Sequence, residues 1–240
     1  MTTDLLSPAP TTSRAVPAAG APAPRLDLYA AIHKALRLAM SDTLGRLGSL
    51  DAGDAGARAE AVAQLRGLCD LCRAHVAKEN GHVHPVIEAC RPGGSGRIAA
   101  EHEEHLVAID ALEAAAVVFD AAPSPALAHR LYRQLAVFVA ENLEHMEVEE
   151  SVHNALLWAA RTDAELLAVH EGILAAIEPQ EMAQVMHWML PALSPAERAG
   201  LLGDMRAKAP PPAFGGVLRL AEARLPRADW LKLVAALNLA

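Results

Sequence analysis

The sequence predicts an all-α protein: an up-down-up-down four-helix bundle followed by a C-terminal extension of short helices. Three observations predict it. The 240-residue chain is 52% hydrophobic but only 3% aromatic, and alanine and leucine dominate, a composition that favours helix over strand. Four long stretches place apolar residues at steps of three and four, the period of a helix with one buried face. Short Gly/Asp-rich or Pro-rich breaks separate them, which makes successive helices antiparallel neighbours.

Residues 1–24 are rich in Pro, Ala, Thr and Ser and predict a flexible tail. The first helix is expected from Arg25 to Leu47, with Leu26, Tyr29, His33, Leu36, Met40 and Leu47 on one stripe. After the Gly48–Gly56 loop, the second runs from Ala57 toward Ala89, carrying Leu65, Leu68, Cys72, His75 and Glu79 in register. Gly81 and Pro85 predict a kink within it. Arg91–Gly96 is a clear break, and the third helix covers Arg97 to Phe119, with Ile98, His102, His105, Ile109, Leu112 and Ala116 inward. Ser124 is the expected N-cap of the fourth, with Pro125 at its first position. That helix runs to Ala160 through Leu131, Leu135, Phe138, Asn142, His145, Glu149, Val152 and Leu156. The bundle therefore spans residues 25–160. Prolines punctuate residues 161–240, where five short helices are expected near 163–177, 179–190, 195–207, 211–223 and 227–238.

The net charge is −8 with no basic patch, which argues against a nucleic-acid partner. No apolar run reaches the roughly 20 residues of a membrane span. The N-terminus lacks a basic region followed by an apolar one, so a soluble, cytoplasmic protein is expected. The three cysteines make no disulfide framework, and Cys69-x-x-Cys72 is read as two ordinary helix cysteines.

Chemistry concentrates in two near-identical words, His75-Val-Ala-Lys-Glu79 and His145-Met-Glu-Val-Glu149. In a helix, His and Glu four apart stack on one face. His33 and His102 lie on the inner stripes of the other two helices, so each bundle helix contributes a ligand-type residue where leucine is expected. A buried ionised carboxylate costs several kcal/mol when unpaired. Metal cations remove that cost. Imidazole suits iron, zinc or copper, and carboxylate suits iron or manganese. Four His and two bridging Glu fit two iron ions best, each holding two histidines and one oxygen from each glutamate. Such a non-haem di-iron centre leaves room for an oxo or hydroxo bridge and an open position. His84, His105 and His153 are candidates to orient ligands from behind, and Asn142 to line the pocket mouth. Glu101, Glu144, Glu147 and Glu150 are expected on solvated faces, Glu144 and Glu150 adding negative potential near the site.

The order His, His-x-x-x-Glu, His, His-x-x-x-Glu over residues 25–160 resembles the hemerythrin-like, or HHE cation-binding, family. The His84-Pro85 that follows Glu79 is similar to family members as well. Within the family, the four-His, two-Glu set is most similar to the di-iron proteins linked to iron–sulfur cluster repair. The resemblance implies a di-iron bundle that binds or senses a small diatomic or redox ligand such as oxygen, nitric oxide or peroxide, or iron itself. An enzyme-like role in nitric oxide or peroxide reduction or cluster repair is the alternative, and a metal-free structural bundle the second. Oxygen carriers in the family have a fifth histidine four residues after the third-helix ligand; Leu106 stands there in this chain. The cysteine-bearing N-terminal domain often found in cluster-repair proteins has no counterpart in residues 1–24, where a Cys is lacking. Trp188-Met-Leu-Pro191, Leu193-Ser-Pro195-Ala-Glu197-Arg and Trp230 resemble a segment that follows such domains in some bacterial proteins and in plant iron-sensing ubiquitin ligases. This implies regulation, with a protein partner engaged through the C-terminal extension.

Overall fold

The computed structural model describes residues 25–239; the tail expected over residues 1–24 lies outside the described residues. The first helix, α1 (Ala30–Gly48), starts later than the periodicity predicts. The Asp27 carboxylate accepts the backbone N–H groups of Tyr29 and Ala30 at 2.8 and 3.0 Å, a local bond that competes with helix. Arg25 meanwhile ties the segment sideways, donating to the Trp158 and Arg161 carbonyls and to Asp163.

The second helical run is α2 (Ala55–Lys78), a π-turn over Glu79–Val83, and α3 (His84–Cys90). The expected kink is thus a widened turn. Pro85 has no N–H for the Gly81 carbonyl four residues earlier, and its ring crowds that position. The next helix is α4 (Gly96–Ala121). The last bundle run is α5 (Pro125–Val148), a second π-turn over Glu149–His153, and α6 (Asn154–Ala160). Ser124 caps α5 as expected, accepting from the Leu127 N–H. The second π-turn contains no proline, and no residue type in the sequence marks it. There, side chains take up backbone carbonyls: Ser151 Oγ donates to the Glu147 oxygen at 2.7 Å, and Asn154 Nδ2 to the Glu150 oxygen at 3.1 Å.

The up-down-up-down course puts the starts of α1 and α4 at the same end as the finishes of α2 and α5. At the opposite end the interior is apolar, with Leu36, Met40, Leu65, Leu68, Ile109, Phe119, Leu131 and Leu135 buried together. Cys69 and Cys72 belong to this core, and burial pushes the Cys69 thiol up to about 12, so it is inert packing material near neutral pH.

The C-terminal helices are α7 (Asp163–Ala175), α8 (Pro179–Ala192), α9 (Pro195–Lys208), α10 (Pro211–Arg224) and α11 (Arg227–Ala236). Thr162 with Glu165, and Ser194 with Glu197, form capping boxes that fix the starts of α7 and α9. Helix α8 lies along α1 and α2 and puts Val185, Trp188, Met189 and Leu193 into the bundle core. Its other face joins a second core with Leu202, Val217, Ala221 and Leu233. Buried Arg198 donates to the Leu190 and Leu193 carbonyls, both at 2.7 Å, closing the C-terminal end of α8. Tyr29, Val83, Ile87, Leu157 and Leu166 form a small apolar plug at the polar end of the bundle.

Candidate metal centre

Six residues from four helical runs converge at the polar end. Within α2 and its π-turn, His75 Nε2 stands 3.2 Å from Glu79 Oε1; within α5 and its π-turn, His145 Nε2 stands 3.4 Å from Glu149 Oε1. This is the one-turn stacking that the four-residue spacing dictates. His33 reaches from α1, its Nε2 lying 3.7 Å from Glu79 Oε1 and 3.4 Å from Glu149 Oε2. His102 reaches from α4, its Nε2 lying 3.3 Å from Glu79 Oε2 and 3.8 Å from Glu149 Oε1.

These contacts sort into two groups of four. His33, His75, Glu79 and Glu149 bring one atom each within 4.8 Å of one another, and so do Glu79, His102, His145 and Glu149. Both glutamates belong to both groups, each with a different oxygen toward either side. Two donors about 2.1 Å from a common ion and about 90–120° apart lie about 3.0–3.6 Å from each other, close to the spacings found.

Hydrogen bonding gives the atoms their direction. His33 Nδ1 donates to Glu150 Oε1 at 2.9 Å, His102 Nδ1 to Asn80 Oδ1 at 2.8 Å, and His145 Nδ1 to Glu101 Oε2 at 2.8 Å. A neutral imidazole that donates from Nδ1 keeps a lone pair on Nε2. The Nε2 atoms of His102 and His145 then face each other 3.1 Å apart, a spacing at which a shared cation would relieve the repulsion of two lone pairs. His33 Nε2, His75 Nε2 and all four carboxylate oxygens of Glu79 and Glu149 are buried without a hydrogen-bond partner. Leaving such groups bare costs about 1–3 kcal/mol each, and more when charged. The donor set, its spacing and its bare inward atoms fit a cation pair.

The imidazoles divide: burial lowers His33 and His145, but Glu149 with Glu150 holds His33, and Glu149 with Glu101 holds His145, above the ordinary histidine value. Burial pushes the Glu79 carboxyl up to about 8, and the neighbouring Glu149 carboxylate adds to the rise. Burial also raises Glu149, but the His145 and His33 imidazoles beside it outweigh that and hold the carboxyl well below its usual range. Burial drives His75 well down and His102 to about 3, with other imidazoles nearby adding to both, so both stay neutral and able to ligate.

Residues 25–157 match the family model of the hemerythrin HHE cation-binding domain. The chain belongs to that family. Comparison with curated proteins and with solved structures gave no match. The HHE domain thus begins just before α1 and stops inside α6, and the helices from α7 onward lie beyond it.

Around the six residues, this HHE domain has partners that the sequence pattern did not reveal. Glu101 and Glu150, expected on solvated faces, instead hold the outer nitrogens of His145 and His33. Arg97 braces Glu101 at 2.7 Å and Arg37 braces Glu150 at 2.5 Å. Asn80, which holds the outer nitrogen of His102, lies off the periodic stripe. The available signal was adjacency, since each of the three directly neighbours a candidate ligand in the chain. Of the other candidates, His84 stacks on His102 at 5.0 Å between centroids, and His105 sets its edge against His145 at 4.7 Å. His153 Nδ1 meets the Tyr29 hydroxyl at 3.2 Å. Asn142 is buried and turns its amide onto the Phe138 carbonyl of its own helix, at 2.8 Å.

The site is closed. None of the six residues lines the groove of about 500 Å³ that runs between α4 and α5 past Leu112, Arg130, Arg133 and Val137. No helix among the described residues is long and apolar enough to cross a membrane.

Proposed function

We propose that the protein holds a non-haem di-iron centre and uses it to bind and sense a small diatomic or redox ligand: oxygen, nitric oxide or peroxide. His33, His75, Glu79 and Glu149 hold one iron; His102, His145, Glu79 and Glu149 hold the other. The observation that carries this reading is the set of buried, bare Nε2 and carboxylate atoms, all aimed at one centre, with outer nitrogens already engaged. Four imidazoles with two carboxylates suit iron, whose chemistry when bound is reversible electron exchange and ligation of diatomics.

The protein's own groups set the selectivity. Glu150, Asn80 and Glu101 lock the imidazole rings so that Nε2 faces inward. The plug of Tyr29, Val83, Ile87 and Leu157 keeps bulk water away, so a ligand of two heavy atoms is the size that the closed site favours. Beside the ligand positions, Lys34 pairs with Glu197 at 2.5 Å and Lys78 with Glu181 at 3.1 Å. Small shifts of α1 or α2 therefore pull directly on α9 or α8, the route by which occupancy would reach a protein partner at the C-terminal helices.

The test is to reduce iron-loaded protein without air and add oxygen, nitric oxide or peroxide in turn, following visible absorption. A stable, reversible adduct is the expected outcome. Sustained turnover with product release would replace the sensor by a catalyst of nitric oxide or peroxide reduction, and inertness to all three would remove both.

A further inference from the structure

We propose that His84, His153 and Glu149 form a third cation site beside the two positions above, taking a first-row divalent ion. It goes beyond the paired-ion reading and shares only Glu149 with it.

The first π-turn creates the juxtaposition. Along a regular α-helix, the five residues from Glu79 to His84 turn about 500°, leaving His84 about 140° away from the inner face. A π-turn advances only about 80° per residue, so the same five residues turn about 400° and bring His84 back beneath Glu79. His153 follows Glu149 by four residues, a spacing that puts it beneath Glu149 in a helix of either kind. His84, which an unbroken α-helix would turn away, therefore meets His153 across the bundle, their rings nearly perpendicular with centroids 5.8 Å apart.

The atoms these residues offer lie within 4.8 Å of one another. Among the described residues, none of the three pairs is joined by a hydrogen bond at that spacing. His84 is 6% exposed, and its Nε2 is buried with no partner. A buried nitrogen aimed at a carboxylate and a second imidazole, and bonded to neither, marks a place built for a bridging atom. His153 Nδ1 lies 3.2 Å from the Tyr29 hydroxyl, a contact that fixes the orientation of the ring. Stacking on His102 fixes the His84 plane, since the rings are 4° from parallel. Two imidazoles and one carboxylate are a donor set for Fe²⁺ or Zn²⁺ with positions left open. With three donors, this site is weaker than a four-donor position and is joined to both of them through Glu149.

The full-length apo-protein, titrated with Zn²⁺ against a chromophoric chelator, tests this. The wild type is expected to take about three zinc ions per chain, the last about tenfold or more weaker. His84→Ala and His153→Ala are each expected to take about two, with the tight pair kept. Circular dichroism of the apo-forms checks the fold; should His84→Ala not fold, His84→Gln keeps similar bulk and is expected to lose the same ion. Two tight ions and no third in the wild type would overturn this site alone, as would variants that keep all three. No zinc at all would overturn both this site and the paired-ion reading.

Discussion

The two ends of one bundle interior are equally dry and are satisfied in opposite ways. At the end lined by Leu65, Leu68, Ile109, Leu112, Phe119 and Leu135, each side chain is apolar and at most 2% exposed. At the other end the same helices bury His33, His102, His145, Glu79 and Glu149 at 3% exposure or less, with most inward polar atoms bare. Apolar burial is complete once the chain has folded, and each such leucine contributes roughly 1.5–3 kcal/mol. Burial of the imidazoles and carboxylates would become favourable once a cation joined them. One end folds the protein, and on this reading the other would make part of its stability conditional on a ligand.

The largest expected effect breaks the conditional end. His145→Ala should strip metal and lower the unfolding free energy of protein kept in metal excess by about 4 kcal/mol, the value for a ligand a thousandfold above its Kd. In metal-free protein the same substitution should cost far less; parallel urea titrations compare the two. A smaller effect, of about 3 kcal/mol, is expected for Leu65→Ala at the unconditional end. Its signature is equality: the cost should be the same with and without metal, at unchanged metal content.

Glu101→Ala sharpens the comparison at the boundary. Freed from its carboxylate, the His145 ring loses its fixed orientation, and metal affinity should fall about 10- to 100-fold with apo-stability little changed. Chelator competition measures the first and thermal unfolding the second.

The smallest effect lies outside both ends. The Lys34 ammonium beside Glu197, together with the Ser194 cap, holds that carboxyl down at about 2. A depressed carboxyl stabilises the fold above the ordinary glutamate range and loses that contribution as pH falls toward about 2. The pair is largely exposed and screened, so Glu197→Gln should cost less than about 1 kcal/mol near neutral pH and nothing at pH about 2. Melting curves across that range, at low and high salt, read it.

Much of this contrast is legible in the chain. Steps of three and four gave both stripes, and the apolar and polar stretches along each stripe already marked the two ends. Asp54, Ser124, Thr162 and Ser194 are caps of ordinary type, and the start of each following helix lies near its cap. What escaped is of another kind. Pro85 announced a disturbance but not its form, and no residue type announces the π-turn at Glu149. Periodicity assumes a constant turn angle, and a π-turn changes it, which is why the pattern places His84 off the inner face. Glu101, Asn80 and Glu150 sit about 100° around the helix from candidate ligands, where a pattern scan sees a solvated face. Whether such a side chain bends inward depends on its neighbour across the bundle. The insertion of Trp188 and Met189 into the bundle core is likewise a tertiary choice, since α8 is apolar on more than one face.

The central claim is that six residues hold two irons, and iron content measures it most directly. Protein purified from iron-replete cells should carry about two irons per chain, and His145→Ala and Glu149→Gln should each carry far less. Near-zero iron in the wild type, with no uptake by the apo-protein, would contradict the account.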